Sequence, residues 1–281
     1  MRIIHSLTTL TKAISQFRQR NKTIGFVPTM GYFHEGHLRL MRKAKKEHDY
    51  CIVSLYVNPA QFGPKEDLAK YPRDFKRDAS MARKENVDIL FMPTDNDIYP
   101  NGYLTYVDVG KIADVLCGQY RPGHFRGVAT IVTKLLMMVR PDSLYLGQKD
   151  AQQVIVLKQV VRDLNIPVDV KVVPTAREAD GLAMSSRNKY LNQQEREQAP
   201  VLYEALQEAV GAVKKGEHLA HKITSLIKKT INSKSSGKIQ YVACVDVNTL
   251  KPVKELKGDV LIALAVYFGK TRLIDNIVLR R

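Results

Sequence analysis

Apolar positions in the first part of the chain alternate between two rhythms. "TIGFVP" at 23–28, "DYCIVSLYV" at 49–57 and "VDILFMP" at 87–93 are short runs rich in β-branched and aromatic residues. Longer stretches at helical spacing, 36–48 and 67–85, lie between them. "SLYLGQ" at 143–148 and "VDVKVVP" at 168–174 continue the pattern, with helical stretches at 129–139 and 151–164. Runs that are apolar on both faces, alternating with helices, predict a parallel sheet covered on both sides. The fold class that follows is α/β, with a Rossmann-like, doubly wound sheet. "YLTYVDVG" at 103–110 reads as an extra strand. The opening "MRIIHSLTTLTKAISQFRQR" reads as a short strand and a first helix that buries Leu10, Ile14 and Phe17. Its lack of acids also matches a transit peptide, but a core strand follows at once with no processing site.

The character changes after "VVPT". "READGLAMSSRNKYL" at 177–191 is polar and aperiodic, as a loop or linker would be. Val201, Leu202, Ala205, Leu206, Ala209, Val210 and Val213 then mark one helical face. A second, basic helix is predicted over 220–231. "IQYVACVDV", "DVLIALAVYF" and "RLIDNIVL" follow as three antiparallel strands with short connections. The predicted organisation is a Rossmann-like domain over 1–175 and a smaller α+β domain over 176–281 with a three-stranded antiparallel sheet.

Composition narrows the function classes. The 281 residues carry 44 basic and 28 acidic side chains, a net charge of +16. Such a balance raises nucleic acid as a partner. The excess is spread along the chain, however, and no segment interleaves aromatics with basic residues. A basic surface that attracts anionic small molecules fits better, so no nucleic-acid partner is expected. No apolar run reaches the ~18 residues a membrane helix needs, so no membrane partner is expected either. Cys51, Cys117 and Cys244 are far apart and form no CxxC pair, which fits a reducing cytoplasm and offers no structural zinc.

The first strand runs into "TMGYFHEGH", where His34 and His37 stand three residues apart at the mouth of a predicted helix. In a doubly wound sheet, ligands bind beyond the carboxyl ends of the strands. Free backbone N–H groups and the helix dipole attract phosphate there. Neither a GxxxxGK[ST] nor a GxGxxG follows this strand, so the two commonest phosphate loops are absent. Gly36 permits close approach, and residues at i and i+3 share a face. Both imidazoles could therefore serve one phosphate chain. Metal binding and plain surface exposure are the other readings of HxxH. A second candidate is "AMSSRN" at 183–188, where two hydroxyls and a guanidinium suit a triphosphate. An early HxGH with a late "KMSKS"-like loop is the signature of the nucleotidyl-transferase superfamily, and "MSSR" stands at the late position.

"PTMGYFHEGH", "VNPAQFGPKEDLAKYPR", "RPGHFRGVATIVTKL", "LGQKDAQQ", "READGLAMSSRN" and "RLIDNI" occur in this order along nearly the whole chain. In these motifs the sequence resembles the pantothenate synthetase (pantoate–β-alanine ligase) family. It departs from the family pattern at Tyr32 and Phe33, where small and aliphatic residues are usual, and at Cys117, where an acid is usual. The resemblance implies ATP-dependent joining of pantoate and β-alanine through a pantoyl adenylate, releasing AMP and pyrophosphate. It implies that Met30, Gly31, Tyr32, Phe33, His34, Glu35, Gly36 and His37 line the ATP site. Gly147, Gln148, Lys149, Asp150, Ala176, Met184, Ser185, Ser186 and Arg187 would complete that site. His37, His34 and Lys149 would be the catalytic residues. Gln61, Gln153, Asn58, Arg121 and His124 would hold pantoate, and Gln61 would also reach β-alanine. Magnesium would arrive on the ATP phosphates, with no protein-held metal, and the enzyme would be a homodimer. The segment 62–73, polar and Pro-bearing, is predicted to gate the site. The competing classes are another adenylyl- or cytidylyl-transferase, a tRNA-charging fragment, and a nucleotide sensor without catalysis.

Overall fold

The computed structural model describes residues 1–64 and 66–280. The chain divides into two compact units. Unit 1 comprises Met1–Asp114, Gly118–Gly147 and Val156–Pro174, and unit 2 comprises Val115–Cys117, Gln148–Ile155 and Thr175–Arg281.

Unit 1 is built on six strands: β1 (Arg2–Ile4), β2 (Ile24–Thr29), β3 (Tyr50–Leu55), β4 (Ile89–Phe91), β5 (Ser143–Gly147) and β6 (Asp169–Val173). Their order is β1-β4-β3-β2-β5-β6, and every pairing is parallel. The sheet is therefore doubly wound, with the order reversing between β2 and β5. The ladder there pairs Gly25 with Ser143 and Phe26 with Leu144. The last three residues of each strand lie beyond it, which opens the crevice where such sheets take ligands.

The helices are α1 (Leu7–Gln19), α2 (Glu35–Glu47), α3 (Phe75–Lys84), α4 (Asp95–Ile98), α5 (Cys117–Tyr120), α6 (His124–Val139) and α7 (Ala151–Asp163). Apolar stripes at helical spacing drive their packing. In α1, Leu10, Ala13, Ile14 and Phe17 are buried, as the periodicity predicts. In α2 the buried face is Leu40, Met41 and Ala44, packed with Val27, Cys51 and Val53.

Three local expectations are corrected. Residues 103–109 form no strand, because Val107 N–H donates to the Thr130 hydroxyl (2.9 Å) and the Tyr103 and Tyr106 rings stack edge to face. The helix expected over 67–85 starts only at Phe75. Pro72 disfavours helical backbone at Tyr71, which takes φ −58, ψ 124. Conversely, α6 starts at His124, five residues earlier than its apolar run suggests, after Gly123 turns the chain at φ 79.

Unit 2 carries α8 (Gln193–Gln198), α9 (Val201–Lys214), α10 (Ala220–Lys234) and the antiparallel sheet β7 (Lys238–Asp246), β8 (Val260–Phe268), β9 (Thr271–Leu279), in that order. Leu202, Leu206, Ile223, Ile227, Ile262 and Leu264 are in its core. Strand β8 is central and buried along most of its length, which explains its unbroken apolar run. Among the described residues, no helix is long and apolar enough to cross a membrane.

Candidate active site

The turn that follows β2 is left-handed twice over, with Gly31 at φ 84 and Tyr32 at φ 51. A Cβ on Gly31 would stand 3.0 Å from Asp78 Oδ2, so both space and backbone favour glycine. Asp78, on α3 and 1% exposed, accepts the N–H of Tyr32 (2.6 Å) and of Phe33 (2.7 Å), one on each oxygen. Burial pushes its pKa up, while these two N–H bonds pull it down.

His34 and His37 cap α2 reciprocally. His34 Nδ1 accepts the N–H of Gly36 (3.1 Å), and His37 Nδ1 accepts the N–H of His34 (3.3 Å). A backbone N–H can only donate, so each ring accepts at Nδ1 and carries its proton on Nε2. The ring centroids are 4.2 Å apart. The expectation of free backbone N–H groups at this turn is thereby corrected. Gly31 N–H donates to the Thr29 hydroxyl and His37 N–H to the His34 carbonyl. With the four bonds above, the donors of Gly31, Tyr32, Phe33, His34, Gly36 and His37 are all used inside the protein. Glu35 takes another direction and pairs with Arg42 (2.6 Å) and Arg39 (3.5 Å). The Arg42 bond, more than any other influence, holds its carboxyl below the usual range.

Four of the five candidate acid-binding residues, Asn58, Gln61, Arg121 and His124, share one hydrogen-bond network. Asn58 Nδ2 donates to Gln61 Oε1 and to the Gly127 carbonyl, each at 3.1 Å. Tyr99 OH donates to Asn58 Oδ1 (2.7 Å), which fixes the amide's orientation. Burial pushes the Tyr99 phenol up, so it stays protonated as a donor. Gln61 Nε2 lies 3.0 Å from Met30 Sδ, which brings this network to the β2 turn. Arg121 Nη1 lies 3.0 Å from His124 Nε2. A guanidinium only donates, so His124 accepts there and donates its Nδ1–H to the Gln61 carbonyl (2.8 Å). Arg121 also pairs in a fork with Glu66, at 2.8 and 2.5 Å. Helix α6 approaches closely at Gly127, where a Cβ would stand 2.2 Å from the Ala60 carbonyl oxygen.

In unit 2, Gln148, Lys149 and Asp150 form one turn of 3-10 helix leading into α7. Asn276 on β9 is 5% exposed. It donates to the carbonyls of Gln148 (3.0 Å) and Lys149 (2.9 Å) and accepts from Gln148 Nε2 (2.9 Å). The Lys149 ammonium lies 3.5 Å from Asp150 Oδ1. Gln153 is half-buried on α7. Its neighbour Gln152 is buried and accepts the N–H of Cys117 (2.9 Å). Cys117 Sγ lies 3.1 Å from Tyr241 OH and 3.4 Å from Arg272 Nη2. Met184 N–H bonds the Ala176 carbonyl (2.9 Å), so these two candidates are neighbours. Ser185 caps the short helix Ser186–Tyr190 by accepting Arg187 N–H at 3.3 Å. The side chain of Arg177 forks onto the buried Asp275 at 2.6 and 3.0 Å and lies 3.9 Å over the Tyr203 ring.

Of the candidate residues in unit 1, Met30–His37, Asn58, Gln61, Arg121 and His124 are linked as described, and Gly147 ends β5. Those of unit 2 cluster at the start of α7 and around 176–187. Asp78, Tyr99, Asp275 and Asn276 escaped sequence reasoning. Asp78 carried a signal, a carboxylate on the same face of α3 as Ala79 and Ala82. Among the described residues, no group of three His, Cys, Asp or Glu is placed to hold a metal. Lys65, within the predicted gate, lies outside the described residues.

The sequence matches the family described as pantoate-beta-alanine ligase over residues 2–278. It is 50% identical to the pantothenate synthetase of Caldicellulosiruptor saccharolyticus over 278 residues, 99% of each chain. That of Acetivibrio thermocellus is 51% identical over 278 residues, with the same coverage. Among solved structures, a Thermus thermophilus pantothenate synthetase superposes with a TM-score of 0.94 at 40% identity, covering 99% of both chains. The Francisella tularensis pantoate-beta-alanine ligase, complexed with beta-gamma ATP and beta-alanine, gives 0.80 at 37% identity, covering 99% of this chain and 97% of that one.

Proposed function

The chain belongs to the pantoate-beta-alanine ligase family, and on that premise we propose that it condenses pantoate with β-alanine at the expense of ATP. The observation that carries this reading is the match along almost the whole length to relatives named for that activity. ATP and β-alanine as ligands are supported by the Francisella tularensis complex.

The proposed reaction has two steps. A carboxylate oxygen of pantoate attacks the α-phosphorus of ATP, the bond to the β-phosphate breaks, and pyrophosphate leaves. The amine of β-alanine then attacks the acyl carbon, loses a proton and expels AMP. Adenylation is needed because a carboxylate is a poor acyl donor. The protein must hold two anions together and stabilise charge that grows between them. His34 and His37 supply donors from Nε2, and Lys149 supplies positive charge at the α-phosphate. A neutral imidazole stabilises growing charge by hydrogen bonding from Nε2–H, whereas proton donation would require the imidazolium form.

Gln61, Asn58 and Gln153 hold pantoate through amides, and Gln61 also meets β-alanine. Arg121 and His124 set the Gln61 turn. The remaining ATP contacts are Met30–Phe33, Glu35, Gly36, Gly147, Gln148, Asp150, Ala176, Met184 and Ser185–Arg187. Magnesium comes with the nucleotide. Domain 1–175 carries the pantoate turn, domain 176–281 closes over the phosphates, and segment 62–73 shields the adenylate. The working enzyme is a cytoplasmic homodimer.

Pyrophosphate exchange into ATP separates this reading from its rivals. Exchange should require pantoate. Exchange driven by an amino acid would point to a tRNA-charging activity, and none at all to a sensor. His37→Ala and Lys149→Ala should each slow pantoate-dependent exchange by at least about tenfold, ~1.4 kcal/mol of barrier. Wild-type rates in both would remove these residues from the chemistry.

A further inference from the structure

We propose that Asp78 is a positioning residue for the reaction: its carboxylate occupies the backbone cradle of the β2 turn and so leaves the nucleotide phosphates to the imidazoles. This deepens the ligase reading and rests on it. Successive N–H groups in a left-handed turn converge on a concavity that attracts an anion. Gly31 and Tyr32 have the left-handed backbone that builds such a cradle. The anion in it belongs to the protein. Asp78 receives Tyr32 N–H at 2.6 Å and Phe33 N–H at 2.7 Å.

The neighbouring Arg77 completes the grip. Its Nη2 donates to the Phe33 carbonyl (2.8 Å), and its guanidinium lies 5.0 Å from the Tyr32 ring centre. Two adjacent residues of α3 thus hold both backbone donors of residues 32–33 and the Phe33 carbonyl. His34 follows directly and caps α2, and His37 accepts its N–H. The register of both rings is inherited from the segment Asp78 fixes. Without the carboxylate, the cradle would compete for phosphate and the turn would lose the bonds that set it. Glycine at 31 is part of the same device, since a Cβ would stand 3.0 Å from Asp78 Oδ2.

The test compares Asp78→Asn with wild type in pantoate-dependent pyrophosphate exchange. The variant should lose at least about tenfold in kcat/KM for ATP, with KM for pantoate within about threefold of wild type. A change confined to stability would leave both constants alone. Combined with His34→Ala, the loss should be non-additive, with the double variant within about threefold of His34→Ala. Wild-type kinetics, or fully additive losses, would overturn the proposal. Should Asp78→Asn fail to fold, amide NMR of the wild-type protein decides. On adding a non-hydrolysable ATP analogue, the Tyr32 and Phe33 amide protons should keep their carboxylate-bonded shifts while the His34 and His37 ring signals move. Displacement of those two amide signals would show that phosphate takes the cradle. A wild-type protein without pantoate-dependent exchange would sink the ligase reading, while the NMR result would still judge the role of Asp78.

Discussion

The β2 turn of unit 1 and the turn before α7 in unit 2 are both fixed by buried polar side chains, with opposite hydrogen-bond polarity. In unit 1, Asp78 accepts from backbone N–H groups. In unit 2, Asn276 donates to the carbonyls of Gln148 and Lys149. The first arrangement consumes backbone donors of the turn. The second consumes backbone acceptors, so the negative ends of those peptides face the protein rather than a phosphate. The carboxylates beside the turns differ as well. Asp78 is held mainly by neutral N–H groups, whereas Asp275, next to Asn276, is forked by a guanidinium.

That difference predicts where the largest loss falls. Asp275→Ala leaves the half-buried Arg177 with the Gly181 carbonyl and the Tyr203 face as its remaining contacts. Breaking a buried pair by removing one partner costs about 3–5 kcal/mol. Calorimetry should show unit 2 unfolding at a clearly lower temperature, with unit 1 little affected. A shift worth less than about 1 kcal/mol would mean that the pair is no more than a surface bridge.

The next effect belongs to unit 1. Gly127→Ala places a Cβ 2.2 Å from one backbone oxygen and 2.5 Å from its carbon, and a side-chain rotation cannot relieve either contact. Overpacking of this kind costs about 1–3 kcal/mol. The strain should fall on Pro59–Gln61, a single 3-10 turn that carries Gln61, so KM for pantoate should rise more than KM for ATP. An equal rise in both would detach Gly127 from the proposed acid-binding network and leave it a packing residue.

The sequence made the architecture legible because periodicity reports burial. Strands β2, β3, β5, β8 and helix α9 follow from their apolar runs. It failed where local bonding overrode propensity, at the 103–109 segment spent on α6 and at Pro72. The site divides in the same way. Motifs pointed to His34, His37, Gln61 and Lys149, whose chemistry is visible in the residue type. Asp78, Asn276 and Tyr99 act by holding other residues, and such roles depend on contacts distant in sequence. The sequence also misjudged the β2 turn. Glycine and helix start suggested open backbone donors, whereas those of Gly31, Tyr32, Phe33, His34, Gly36 and His37 are bonded within the protein.

A smaller contrast between the units concerns acid. His48 ends α2, packed against Tyr145 and close to Gly25, with a buried Nδ1 that finds no partner among the described residues. In unit 2, His218 and His221 are exposed. Desolvation lowers the pKa of His48, outweighing Asp142, Glu47 and Asp49, which raise it, while Lys171 adds to the lowering. The sign follows from proton linkage. The unfolded chain binds the proton more readily, so stability is full above about pH 6.5 and is lost as pH falls toward the folded-state value. Thermal unfolding of unit 1 should therefore shift down between pH 7 and 5.5 by more than its carboxylates account for, and His48→Leu should flatten that slope. The difference should be the smallest of the three. An unchanged slope in the variant would place the proton uptake elsewhere.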